Sequence, residues 1–89
     1  RITPQKRLDV FLRAMRIVMD SNRDVIGAVF GEPGIQDYEY YSEIRHLHRQ
    51  MGLGDEVRFM GFHERMRDVY AAADAVVLST ELEPFLAGP

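Results

Sequence analysis

The sequence contains no cysteine. A disulfide scaffold, a zinc–cysteine centre and a cysteine nucleophile are therefore excluded. No apolar run exceeds a handful of residues, so no segment reads as a membrane span. Arg1 leads into polar residues and not into an apolar leader core, so no secretory signal is expected and the expected location is cytoplasmic. Lysine is nearly missing as well: of the eleven cationic residues ten are arginine, and Lys6 is the only lysine. The fingerprint G-x-G-x-x-G follows no strand-like run, which speaks against a nicotinamide dehydrogenase. Internal repeats and low-complexity linkers are likewise lacking.

What remains is the material of one small folded domain. The 89 residues exclude a multi-domain chain, and a chain of this length buries only about 60–65% of its unfolded surface, so its stability is marginal. Hydrophobic residues at 46% and charged residues at 28% argue against disorder. The net charge of −3 disfavours nucleic-acid binding. It is unevenly spread. Residues 1–23 carry six basic and two acidic side chains (+4), and residues 24–89 carry five basic and twelve acidic (−7).

Helical and strand patterns alternate along the chain. Thr3 followed by Pro4 is a helix-start signal, a threonine N-cap and then a proline whose missing N–H is not needed. Leu8, Phe11, Leu12, Met15, Val18 and Met19 follow at the spacing of one helix face, and Ser21 and Asn22 end it. Val25 to Phe30 is a nearly unbroken apolar run and reads as a parallel strand buried on both faces. A second helix is expected from about Asp37 to Met51, with Tyr40, Tyr41, Ile44, Leu47 and Met51 inward. Gly52 sits where a left-handed C-cap belongs and Leu53 where its hydrophobic contact falls. Val57 to Phe62 reads as a strand, and Arg65 to Ala73 as a short helix with Met66, Val69, Tyr70 and Ala73 inward. Ala75-Val76-Val77-Leu78-Ser79 reads as a last strand. This order implies an α/β fold, a Rossmann-like parallel sheet with helices on both faces. A helix at the start with no strand feeding it, and three strands in all, suggest part of a larger domain.

Ligands of open parallel sheets bind beyond the carboxyl ends of the strands. Those ends here are Gly31-Glu32-Pro33-Gly34, Gly61-Phe62-His63 and Ser79 to Glu83. Small residues at the first two let a ligand approach the backbone. Arg1 and Lys6 flank the start of the first helix, whose terminal amides favour anions, so a phosphate site is expected along this edge. Other groups read more plainly. His46 and His48 point to different helix faces and do not form a metal site. Tyr40 and Tyr41 read as core residues and not as stacking platforms. His63 either touches a ligand or begins the short helix. Glu81 and Glu83, two apart, resemble an acid/base pair, but one of them is more simply a solvated loop charge.

Five segments, in order and register, resemble the large retaining family 4 group of GT-B-fold glycosyltransferases. Arg1 through Leu8 (RITPQKRL) resembles the "GR-x-x-x-x-KG" stretch that opens their C-terminal half, and Val29-Phe30-Gly31-Glu32 resembles "ivG-x-G". Leu47 through Gly61 resembles "l-x-x-x-lgl-x-d-x-V-x-f-x-G", Val69 through Ser79 resembles "y-x-x-aDv-x-v-x-PS", and Glu83-Pro84-Phe85 resembles "EPFG". The resemblance spans essentially the whole chain. It implies that residues 1–89 are the first part of a donor-binding C-terminal domain. The leading strand, the acceptor domain and the second glutamate of the family's E-x7-E pattern would lie outside these residues. The fragment would then be inactive alone.

The resemblance further implies that Arg1 and Lys6 grip the diphosphate of a nucleoside-diphosphate sugar. Gly31, Glu32, Phe62 and His63 would lie against its nucleoside and sugar, and Glu83 would act at the donor sugar. The parent would transfer the sugar to an acceptor hydroxyl with retention, needing no metal or other cofactor. The acceptor would be a carbohydrate or lipid-linked molecule met by the other domain, with the parent cytoplasmic or peripheral at the inner membrane face. The sequence departs from the family pattern at Arg7 and Leu86, where glycines are usual. The rival readings are a receiver-type signalling domain, which needs an aspartate where these strand ends offer glycine or serine, and a non-catalytic interaction module that self-associates through exposed sheet edges.

Overall fold

The computed structural model describes residues 1–22 and 24–76. The threonine–proline start signal is used for a single turn. Pro4–Lys6 forms a 3-10 turn in which Lys6 N–H donates to the Thr3 carbonyl over 3.0 Å. Arg7 then takes a left-handed backbone, φ 50°, and helix α1 begins only at Leu8, running Leu8–Ser21. The single helix expected from Thr3 is thus two pieces. The break is pinned from outside, because Leu8 N–H donates to the Tyr40 hydroxyl over 3.2 Å. Arg7 also folds onto Asp9, with Nε 3.1 Å from Oδ1. That hydrogen bond from the guanidinium holds the Asp9 carboxyl below its ordinary range.

Leu12, Met15 and Met19 form the buried stripe of α1, with Leu8 and Phe11 packed beside them. Val18, expected inward, lies at the stripe's margin and is 41% exposed. Strand β1 covers Gly27–Phe30, helix α2 covers Tyr38–Gln50, strand β2 covers Val57–Gly61 and helix α3 covers Met66–Ala72. The end of α2 closes as its sequence implies. Gly52 at φ 66° donates to the Arg49 carbonyl over 3.1 Å, and Leu53 donates to that of His48 over 3.3 Å. This is the paired bonding of a Schellman cap, and it carries Leu53 into the core, fully buried. Burying a leucine side chain stabilises by about 1.5–3 kcal/mol, so the cap and the core reinforce each other. His48 fastens the same corner, its Nε2–H facing the carbonyls of Gly54 at 3.0 Å and Val57 at 2.8 Å.

The two strands run parallel, with Gly27 opposite Val57 and Val29 opposite Phe59. A bulge at Met60 then brings Phe30 opposite Gly61. On the other side of β1, Ile2 N–H donates to the Glu32 carbonyl over 3.0 Å, while Gly31 N–H donates to that of Gly61 over 2.8 Å. Successive residues aim their backbone groups at opposite edges, so the Ile2 segment lies on one edge of β1 and β2 on the other.

That order corrects one expectation. β1 is not buried on both faces: Gly27 and Val29 are buried, whereas Ile26 is 63% exposed and Ala28 is exposed. The path from Ile2 to β1 to β2 steps in one direction across the sheet. Right-handed crossovers in one direction leave their helices on one face. α1 and α2 accordingly share a core with Val57 and Phe59, and Met15 and Phe11 press against Gly27, where a Cβ would lie 3.0 Å from the Met15 methyl.

α3 also departs in part. Met66 and Val69 are half-buried, but Tyr70 and Ala73 are exposed. A helix of two turns has room on its inner side for little more than one i, i+3 pair. The expected strand over 75–79 falls outside the described residues except for Ala75 and Val76, which are exposed and in no regular element. Among the described residues no helix is long and apolar enough to cross a membrane. The observed architecture is an α/β unit, a parallel pair of strands with flanking helices.

Candidate functional site at the carboxyl ends of the strands

β1 and β2 both deliver their carboxyl ends to one edge, where Gly31 and Gly61 meet through the 2.8 Å backbone bond. The Met60 bulge turns the chain so that Gly61 takes φ 76°, a conformation that a side chain would strain. The space that Gly61 leaves is used. The Glu32 carboxylate lies over it, with Oε1 3.4 Å from where a Cβ would stand.

The segment ahead of α1 reaches the same edge. Ile2 is buried, 3% exposed, and its bond to Glu32 lays the preceding residue across the loop after β1. The Arg1 backbone nitrogen is 3.5 Å from the Cβ position of Gly31, and its guanidinium rests on Gly34 where a Cβ would otherwise be. Arg1 therefore meets both glycines of the β1 loop. Lys6 stands on the 3-10 turn, exposed, on the approach to α1. The first amide of α1 is already engaged with Tyr40, so that N–H does not point to an open anion site.

Phe62 follows β2 and is 73% exposed. His63 lies ahead of the short helix and does not begin it: α3 starts at Met66 with Arg65 as its N-cap, and His63 Nδ1 accepts Arg65 N–H over 3.1 Å, which puts the proton of the neutral ring on Nε2. Its ring also meets Phe30 edge-on, 6.0 Å between centroids, and so ties the loop after β2 to the end of β1. Glu81 and Glu83 lie outside the described residues. The structure thus brings Arg1, Gly31, Glu32 and Gly61 together, with Phe62 and His63 on the adjoining loop.

An open groove of about 490 Å³ runs beside these strand ends. Glu32, Pro33 and Gly61 form one wall. The other wall is α2, through Tyr38, Tyr41, Ser42, Arg45 and Arg49. Of this wall only Tyr41 belongs to the apolar stripe expected from the sequence. The signal for the rest was present, since Tyr38, Tyr41, Arg45 and Arg49 recur at steps of three and four residues beside the buried Ile44, with Ser42 next to Tyr41. Tyr40 is half-buried and packs against the core; burial pushes its phenol above the ordinary value of 10. Tyr41 is half-buried as well, and its ring meets Phe59 edge-on and lines the groove. The Arg45 guanidinium lies 4.5 Å from the Phe59 ring centroid and donates from Nη1 to the Tyr41 hydroxyl over 3.3 Å. The edge therefore combines backbone-lined openings, three guanidinium groups, one carboxylate and aromatic rings.

Among the described residues, no group of three or more histidine or acidic side chains is placed to hold a metal ion. No curated protein and no solved structure matches the chain. A family model described as "Glycosyl transferases group 1" matches residues 1–85. With 85 of its 89 residues covered, the chain belongs to the group 1 glycosyl transferases, a family of proteins that carry out glycosyl transfer.

Proposed function

We propose that this chain is the donor-binding part of a family 4-like, GT-B-fold glycosyltransferase and holds a nucleoside-diphosphate sugar along the strand-end edge. The observation that carries the reading is the position of Arg1, laid over Gly31 and Gly34 by the Ile2–Glu32 hydrogen bond. A guanidinium over glycines can meet a phosphate while the backbone approaches it closely. In this reading Arg1 and Lys6 grip the diphosphate. Gly31, Glu32, Phe62 and His63 line the nucleoside, and Glu83 contacts the donor sugar.

The chemistry follows from charge. The bond between the anomeric carbon and the diphosphate oxygen breaks, and its electron pair leaves with the diphosphate. Fixed cations at that oxygen stabilise the transition state more than the ground state, because the charge is still developing there. Positive side chains supply this without a metal. The acceptor hydroxyl, on a carbohydrate or a lipid-linked molecule brought by another domain, attacks the same sugar face and gives its proton to the departing diphosphate oxygen, so configuration is retained.

The test is calorimetric titration with a nucleoside diphosphate. Loss of a charge-assisted hydrogen bond costs about 1.5–3 kcal/mol, so Arg1→Ala and Lys6→Ala should each weaken binding roughly tenfold or more. Undiminished affinity in both variants would remove the phosphate-grip assignment.

A further inference from the structure

The groove between the strand ends and α2 is chemically two-sided. On one wall stands the Glu32 carboxylate, over Gly61 with Oε1 3.4 Å from the Cβ position. On the other stand Arg45 and Arg49, one helical turn apart, with Tyr38 and Tyr41 beside them. Arg45 is fixed in place by its contacts with Phe59 and Tyr41. The groove's volume of about 490 Å³ lies in the range of small-molecule sites and admits a two-ring base.

We infer that the base taken by this groove is guanine and that Glu32 selects it. The inference rests on the donor-binding reading above. An ionised carboxylate only accepts hydrogen bonds and offers two oxygens side by side. Guanine alone among the common bases answers with two adjacent donors, N1–H and N2–H. Adenine and cytosine set one exocyclic amine beside a ring nitrogen that is itself an acceptor, and this nitrogen repels the second carboxylate oxygen. Uracil has one N–H between two carbonyl oxygens, and both of them repel a carboxylate. The remaining edge of guanine, O6 and N7, consists of acceptors, and arginine is the side chain that matches it. Arg45 and Arg49 supply such donors on the facing wall. Tyr38 and Tyr41 add aromatic surface that any base can stack on, so they contribute affinity and not discrimination. Discrimination falls to Glu32.

A matched bidentate contact separates right from wrong base by roughly tenfold to a hundredfold. Calorimetric titration of the full chain with GDP, ADP, UDP and CDP reads this directly. GDP should bind at least about tenfold more tightly than the other three. Glu32→Gln, which keeps the shape of an exposed side chain but replaces one acceptor oxygen by a donor, should erase most of that preference. UDP affinity should rise in the same variant, since the repulsion between the uracil carbonyls and the carboxylate is relieved while the diphosphate grip is untouched. A second base binding as tightly as GDP would overturn the guanine assignment, and so would an intact GDP preference in Glu32→Gln. Failure of all four nucleotides to bind the chain, with its helical circular dichroism present, would instead overturn the donor-binding reading beneath it.

Discussion

Gly34 offers a way to move Arg1 without mutating it. Its backbone, φ −72° and ψ 169°, is extended and acceptable to any residue, so alanine meets no conformational objection there. The objection is local crowding. An alanine Cβ would fall on the Arg1 guanidinium and lie 2.9 Å from Gln36 Oε1. Both are ends of long, exposed side chains that can swing aside at little cost. Replacing glycine at a compatible position restricts the unfolded chain and stabilises by about 0.4–1 kcal/mol. Set against a few lost surface contacts, the net change in stability should lie within about 0.5 kcal/mol. Binding should respond quite differently. If Arg1 grips the diphosphate as proposed, a displaced guanidinium forfeits part of that contact, and nucleoside-diphosphate affinity should fall roughly tenfold. Urea unfolding and calorimetry on the same preparations give both numbers. Gly52→Ala is the mirror control: at φ 66° with nothing within 4 Å of the added Cβ, it should lose about 1–2 kcal/mol of stability and no affinity. Gly34→Ala refutes the reasoning if it unfolds more easily by over about 1 kcal/mol, or if it binds as tightly as the parent.

Two further outcomes follow from the core and from the α1 start. Leu12 of α1 is fully buried, so Leu12→Ala should cost about 2–5 kcal/mol and, at about 4–8 °C per kcal/mol for a chain of this size, lower Tm by at least about 8 °C in a thermal melt. Asp9 has a folded-state pKa below its unfolded value of 3.8, so the stability it contributes is present above that value and is lost as pH falls through the folded one. Both partners are partly exposed, which limits the contribution to about 0.2–1 kcal/mol. Asp9→Asn should flatten the acid limb of a stability-versus-pH curve below about pH 4 by that amount, and an unaltered limb would count against the Arg7–Asp9 pair.

Some of this molecule was legible from local pattern. The order of helices and strands, the inner residues Leu12, Met15 and Met19, and the closure of α2 at Gly52 and Leu53 all follow from interactions within a few residues of chain. Helical periodicity and cap chemistry act over that range, and nothing distant is needed to read them. The edge that would hold a ligand was also legible in outline, because parallel strands deliver their ends to one side.

The rest depended on partners far away in sequence. α1 starts at Leu8 and not at Pro4 because Tyr40, 32 residues on, captures the Leu8 amide. β1 keeps one open face because both crossovers step the same way, a property of strand order that no residue in β1 encodes. The site is of this second kind. Residue types at the strand ends indicated where a ligand would lie, but the placement of Arg1 over Gly34 required the bridge from Ile2 to the β1 loop. Setting Glu32 across a groove from Arg45 and Arg49 required the bulge at Met60 and the packing of α2 on the sheet. Short-range order follows from local chemistry, whereas the meeting of these charges is decided by how the elements cross.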